Sequence, residues 1–167
     1  QNRLMTTDED GVEYQDNDER TIFFARGVLE TVMKLRWSPD VIHCHGWLSA
    51  LIPLYVKTAY KDEPVFRSSK IIYSLYDKAF SNTFHDNFPE LIPTKDMVIQ
   101  DVGTFKFPID YNSLMCKAMD FSDGVICNSK EVDPELIKYA KSKKLPVLKC
   151  TKAGIAPERI NELYNTI

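Results

Sequence analysis

Asp40-Val41-Ile42-His43-Cys44-His45-Gly46-Trp47 is the stretch that decides the fold. Residues 41–45 form a short apolar, β-prone run. Side chains in a strand alternate with period 2, so His43 and His45 leave it on the same face. Gly46 and a long apolar segment follow at once, which puts His45 at a strand-to-helix turn. That is where α/β proteins place ligand contacts, beside free backbone N–H groups. Two imidazoles there point to a site rather than to packing.

Upstream, residues 1–17 are acidic and polar, with Gly11 breaking the run, and read as a loop ahead of a single α/β domain over 18–167. Asp16 offers an N-cap and Glu19 the N3 acid of a capping box. The segment that follows carries Ile22, Phe24, Val28, Leu29, Val32 and Met33 at helical spacing, as far as Leu35. Ser38-Pro39 stops it. Downstream, residues 47–60 read as one buried helix kinked at Pro53. Residues 70–76 (Lys-Ile-Ile-Tyr-Ser-Leu-Tyr) form a second strand. Periodicity is then lost over 77–108, where Asn82, Asn87, Pro89, Pro93 and Gly103 are mixed with exposed-looking aromatics. A loop of that length belongs to a functional or partly disordered segment. Helix 111–119, strand 124–128, a helix from Asp133-Pro134 to about 143, strand 145–149 and a last helix from Pro157 complete the pattern. Ile160, Leu163 and Tyr164 share one face of that last helix.

Strands that are nearly continuous in apolar character, alternating with helices, make a parallel sheet with helices on both faces. The fold is therefore read as Rossmann-like α/β. Six glycines, none adjacent, leave neither a GxGxxG nor a Walker loop.

The 167 residues are 44% hydrophobic and 27% charged, with net charge −3. That balance gives no electrostatic basis for a nucleic-acid or membrane-surface partner. No apolar run reaches the roughly 18–20 residues of a membrane span, and the polar start at Gln1 lacks the apolar core of a signal peptide. A start on Gln1 rather than Met fits a piece of a longer protein. Cys44, Cys116, Cys127 and Cys150 form no CxxC pair. They read as free thiols in a cytoplasmic setting.

Among the candidate residues, His43 reads as a core histidine donating to a backbone carbonyl. His45, at the carboxyl end of its strand, reads as a ligand contact. A nearby helix N-terminus disfavours imidazolium there and leaves a neutral ring able to hydrogen-bond a hydroxyl or carbonyl. Trp47 either stacks on a sugar ring or anchors the helix. Tyr73, Tyr76 and Asp77 end the second strand and lie next to His45 if the two strands are neighbours. Cys44 and Cys127 lack a basic partner in sequence, which argues against a nucleophile. Ser129 reads as a cap. A metal site on His43, His45 and His85 is the weakest reading, because no carboxylate or thiolate lies at a matching interval. No metal and no cofactor is expected.

The stretch Asp16-Asn17-Asp18-Glu19-Arg20 through Phe24, with 39–55 (Pro-Asp-Val-Ile-His-Cys-His-Gly-Trp-Leu-Ser-Ala-Leu-Ile-Pro-Leu-Tyr), closely resembles the glycogen and starch synthases. The likeness is strong over residues 8–80 and continues weakly through 115–129. It implies one lobe, in part, of a GT-B glycosyltransferase that moves glucose from ADP-glucose to the non-reducing end of an α-1,4-glucan with retention. The family's second motif histidine lies at the donor sugar and maps onto His45, the implied catalytic residue. Gly46, Trp47, Tyr73, Tyr76 and Asp77 follow as implied substrate contacts.

The departures are specific. Gly46 replaces the usual acid after the second histidine, and Ile72-Tyr73-Ser74 stands where the family commonly reads Val-His-Asn. The Lys-x-Gly-Gly-Leu loop and the carboxyl-terminal lobe with its phosphate-binding Arg and Lys are not in this sequence. A donor held between two lobes then needs a second lobe or polypeptide to complete its site. The resemblance implies a glucosyltransferase whose isolated chain is inactive or weak; the alternative is a non-catalytic glucan-binding or regulatory domain derived from it.

Overall fold

The structure, a computed structural model, describes residues 5–77, 80–95, 97–151 and 154–167. Four parallel strands lie in the order β1-β2-β3-β4: β1 Val41–His45, β2 Lys70–Leu75, β3 Gly124–Cys127 and β4 Val147–Lys149. The chain order of the strands is thus their order in space, and β1 is an edge. His45 pairs with Ser74, and Ser74 with Ile126. The expected doubly covered parallel sheet is present.

The two faces are covered unequally. Cys44, Ile71, Tyr73, Leu75, Val125 and Cys127 point into the main core. Helices α1 (Asn17–Lys34), α2 (Ile52–Lys57), α5 (Tyr111–Asp120) and α6 (Pro134–Ser142) pack there, joined by Phe88 and Val102 from the 80–108 stretch. On the other face Ile72, Ile126 and Leu148 form a small cluster with Leu163 of α7 (Pro157–Thr166), flanked by Ile160, Tyr164 and Ile167. Gly124 belongs to this contact: a Cβ there would sit 2.8 Å from Ile72 Cδ1 and 3.7 Å from Leu163 Cδ1. The glycine makes room for the Ile72 side chain of the neighbouring strand, while α7 stands at ordinary van der Waals distance.

Several local expectations change. Asp16 precedes α1 but its side chain makes no capping hydrogen bond, because its backbone (φ −87°, ψ 15°) is not in the extended conformation an N-cap needs. Asp18 instead accepts from the Glu19 N–H at 2.7 Å. The helix ends at Lys34, before Ser38-Pro39. Arg36 turns left-handed (φ 52°), and Arg36 N and Trp37 N donate back to Met33 O and Val32 O. That pair of bonds is a Schellman stop.

Residues 47–60 are not one kinked helix. Trp47–Ser49 is a single 3-10 turn, and α2 starts afresh with Pro53 in its first turn, where a missing N–H costs nothing. The expected burial of this segment holds from Ile52 to Val56. The Asp133 cap and first-turn proline of α6 are as read, with Asp133 Oδ1 accepting from Glu135 N at 2.8 Å.

The 80–108 stretch contains two one-turn helices, α3 (Phe88–Leu91) and α4 (Ile99–Val102). Most of its aromatics are not exposed as they looked: Phe80, Phe84, Phe88 and Phe105 are buried, and Phe107 is exposed as expected. Tyr55 Oη donates to Ile92 O and Lys117 Nζ to Val102 O, so backbone groups of this segment are bonded into the core. The expected acidic loop at the amino end is also tied down. Glu13 accepts from the N–H groups of Ser81 and Asn82 at 2.7 and 3.0 Å.

Candidate functional site

The carboxyl ends of β1 and β2 meet on the face closed by α7. Alternation along each strand puts His43 and His45 on that face with Ser74 and Tyr76. The two imidazoles lie one over the other, ring centroids 4.0 Å apart and planes tilted by 33°. His43 is held at both nitrogens, Nδ1 by the Tyr164 hydroxyl at 2.5 Å and Nε2 by Ser74 Oγ at 2.7 Å. Its expected partner, a backbone carbonyl, is replaced by these two hydroxyls. His45 is exposed and, among the described residues, its ring has one hydrogen-bond partner, the Tyr76 hydroxyl, 2.9 Å from Nδ1.

Both rings are neutral near pH 7. Burial, helped by the neighbouring His45, lowers His43 to about 4. His45 is lowered as well, by burial of its ring. Desolvation therefore does what the sequence assigned to a helix N-terminus, since only a three-residue 3-10 turn follows.

Gly46 turns the chain at φ 68°, a conformation other residues rarely adopt. Its carbonyl accepts from Tyr73 Oη at 2.8 Å and from Ser49 Oγ at 2.9 Å. Tyr73 is thus corrected: it is fully buried, on the opposite face from His45, and supports the loop from beneath instead of meeting a ligand. Trp47 is half-buried and packs edge-on against Phe80 and Phe84, at 5.2 and 6.1 Å, which favours its reading as an anchor. Tyr76 is half-buried at the rim and Asp77 is exposed beside it. The Tyr76 carbonyl accepts from Tyr111 Oη at 3.0 Å.

The remaining candidates lie elsewhere. His85 is bound through Nδ1 to Asp18 of α1. Among the described residues no three His, Cys, Asp or Glu side chains converge as metal ligands. All four cysteines are free. Burial pushes the thiols of Cys44 and Cys116 up to about 12 and about 11 and that of Cys127 upward, so none of the three is a thiolate at neutral pH. Ser129 Oγ accepts from Glu131 N within its own turn. Ser74 is a partner of His43 that strand alternation in the sequence is enough to suggest. Nothing in the sequence pairs Tyr164 with a residue 121 positions away.

The starch synthase catalytic domain family matches residues 2–148 of this chain. The chain belongs to the glycogen and starch synthase family. A glycogen synthase of Clostridium perfringens is 31% identical over 150 residues, 86% of this chain and 28% of that protein. One from Thermodesulfovibrio yellowstonii is 30% identical over 155 residues, 93% of this chain and 29% of that protein. One from Chlorobium luteolum reaches 43% over 76 residues, 46% of this chain and 16% of that protein. The chain thus spans less than a third of the length of these relatives. The catalytic domain of starch synthase IV from Arabidopsis thaliana, solved with ADP and acarbose, superimposes with TM-score 0.59 at 18% identity. It covers 81% of this chain and 30% of its own, a likeness of fold. A glycosyltransferase lobe is the architecture this family member shares with it. Among the described residues, no helix of the chain is long and apolar enough to cross a membrane.

Proposed function

We propose that this chain forms the sugar-handling part of a synthase that transfers glucose from ADP-glucose to an α-1,4-glucan with retention of configuration. The observation that carries the reading is His45, a neutral, exposed imidazole at the carboxyl end of β1 with Nδ1 tied to Tyr76. Its Nε2 is the group to meet a glucose hydroxyl as positive charge grows at the anomeric carbon. Gly46 brings backbone rather than side chain to that edge, while Tyr76 and Asp77 stand at the rim. ADP and acarbose in the Arabidopsis relative are in keeping with a nucleotide and a glucan mimic on this fold.

A chain spanning less than a third of its relatives holds only part of such a site, so a second lobe or polypeptide completes it and the isolated chain turns over slowly or not at all. The reaction as proposed asks for no cofactor, nucleic acid or membrane, and the free cysteines fit the cytoplasm. The second reading, a non-catalytic glucan-binding domain, is favoured by Gly46 in place of the family's acid. Calorimetric titration with ADP-glucose and, separately, with maltoheptaose tests both. Donor binding that is lost in His45→Ala supports the transferase site; glucan binding without donor binding favours the second reading.

A further inference from the structure

The histidine-bearing face is closed from below by α7, which begins at Pro157, past residue 148 where the family match ends. Tyr164 on that helix meets His43 edge-on, ring centroids 5.8 Å apart at 86°, with its hydroxyl on Nδ1. Ser74 Oγ, from a fully buried residue, takes Nε2 from within the sheet. An imidazole engaged at both nitrogens cannot turn without giving up both bonds. His45 rests on this fixed ring at 4.0 Å and is tied at one nitrogen only. The groups that face the two rings from the elements packed against them are Tyr164 of α7 and Ser74 and Tyr76 of β2. Among the described residues, no carboxylate or ammonium is hydrogen-bonded to either ring. Orientation of this pair is therefore left to hydroxyls, and the bond at one ring nitrogen decides where the proton sits on the other.

We propose that Tyr164 is a positioning residue of the candidate site: acting through His43, it fixes the ring on which His45 rests and so sets the orientation that His45 presents to a ligand. The family model does not reach this part, since α7 lies beyond the residues it matches. Only the ligand's being a sugar rests on the proposed function. The coupling from Tyr164 to His45 is a property of the free chain.

The test is nitrogen-15 NMR of both imidazoles in the labelled chain, which reads tautomer and protonation ring by ring. Tyr164→Phe keeps the packed ring and removes only the hydroxyl. It is expected to move the His43 nitrogen signals and, with them, the His45 nitrogen signals at neutral pH. Tyr139→Phe, which removes a hydroxyl on α6 that bonds to Asp120, is expected to leave both rings unchanged. His45 signals that stay fixed in Tyr164→Phe overturn the proposal, whether or not those of His43 move. So do His45 signals that move while those of His43 do not. Ser74→Ala cuts the other bond to His43 without touching α7. It must move His45 as well, and it replaces Tyr164→Phe should that variant not fold. No donor enters the measurement, so a chain that fails to bind ADP-glucose can still pass, and one that binds it can still fail.

Discussion

The two faces of the same four strands are built to different ends. One carries Cys44, Tyr73, Leu75, Val125 and Cys127 into a core closed by several helices. The other carries His43, His45, Ser74 and Tyr76 above a small apolar cluster and, among the described residues, has α7 as its one covering helix. On the first face stability comes from apolar area removed from water. On the second, part of that area is given over to hydroxyls and imidazoles that hold one another in place. Each hydrogen bond there is worth only about 1 kcal/mol net, because water would satisfy the same groups. The polar face is thus where geometry is specified and the apolar face is where the fold is secured.

The sharpest way to test this division is to cut the same side chain on each side. Leu75 is fully buried in the main core, whereas Leu163 closes a cluster of four and retains 9% exposure. Leu75→Ala is expected to cost about 4 kcal/mol and Leu163→Ala about 2 kcal/mol, the smaller core leaving more room to collapse. Urea unfolding at pH 7.5 measures both. Equal losses would mean that α7 secures the fold as much as the helices opposite.

The tyrosines at the end of β2 separate the faces more finely. Tyr73→Phe removes a buried hydroxyl that donates to the Gly46 carbonyl and should cost about 1 kcal/mol. Tyr76→Phe, at the rim, should cost under about 0.5 kcal/mol yet shift the His45 Nδ1 signal, since that nitrogen loses its partner. A reversed order of the two costs would place Tyr76 among the fold's supports.

This pair also shows how far the sequence can be read. The strands, their parallel arrangement and the last helix are legible because each apolar run is bounded by turn residues and alternates with a helical period. Tyr73 and Tyr76 were grouped as one cluster although they stand three apart, an odd interval that sends them to opposite faces of a strand. The aromatics of 80–108 looked exposed because a segment without period gives no sign of which side it buries. Phe80 and Phe84 pack against Trp47 instead, and Phe88 against Phe84, through stacked and edge-on contacts that no local spacing encodes. Asp16 carried the right residue type for a cap, but backbone dihedrals decide capping and composition does not report them. Tyr164 was placed on the correct helix face without its partner, because pairing across 121 residues is set by how α7 docks.

A further effect is one of slope, and it tells the faces apart by pH. His43 titrates near 4 in the folded chain, against 6.5 when unperturbed. Between these values the unfolded chain binds a proton that the folded chain refuses, so stability falls as pH falls through that window. His45, also lowered, acts in the same sense. On the apolar face Cys44, held up near 12, contributes no slope there. His85 has the opposite sign: hydrogen bonding to Asp18 raises it, so its contribution is complete below 6.5 and is lost as pH rises through the raised value. The urea midpoint of His43→Gln, followed from pH 7.5 down to 4.5, should therefore fall less steeply than that of the parent chain. His85→Gln should leave that acid arm as it is and flatten the decline above pH 6.5. An acid arm abolished by His85→Gln but kept in His43→Gln would assign the proton to the wrong histidine and leave the polar face without its pH signature.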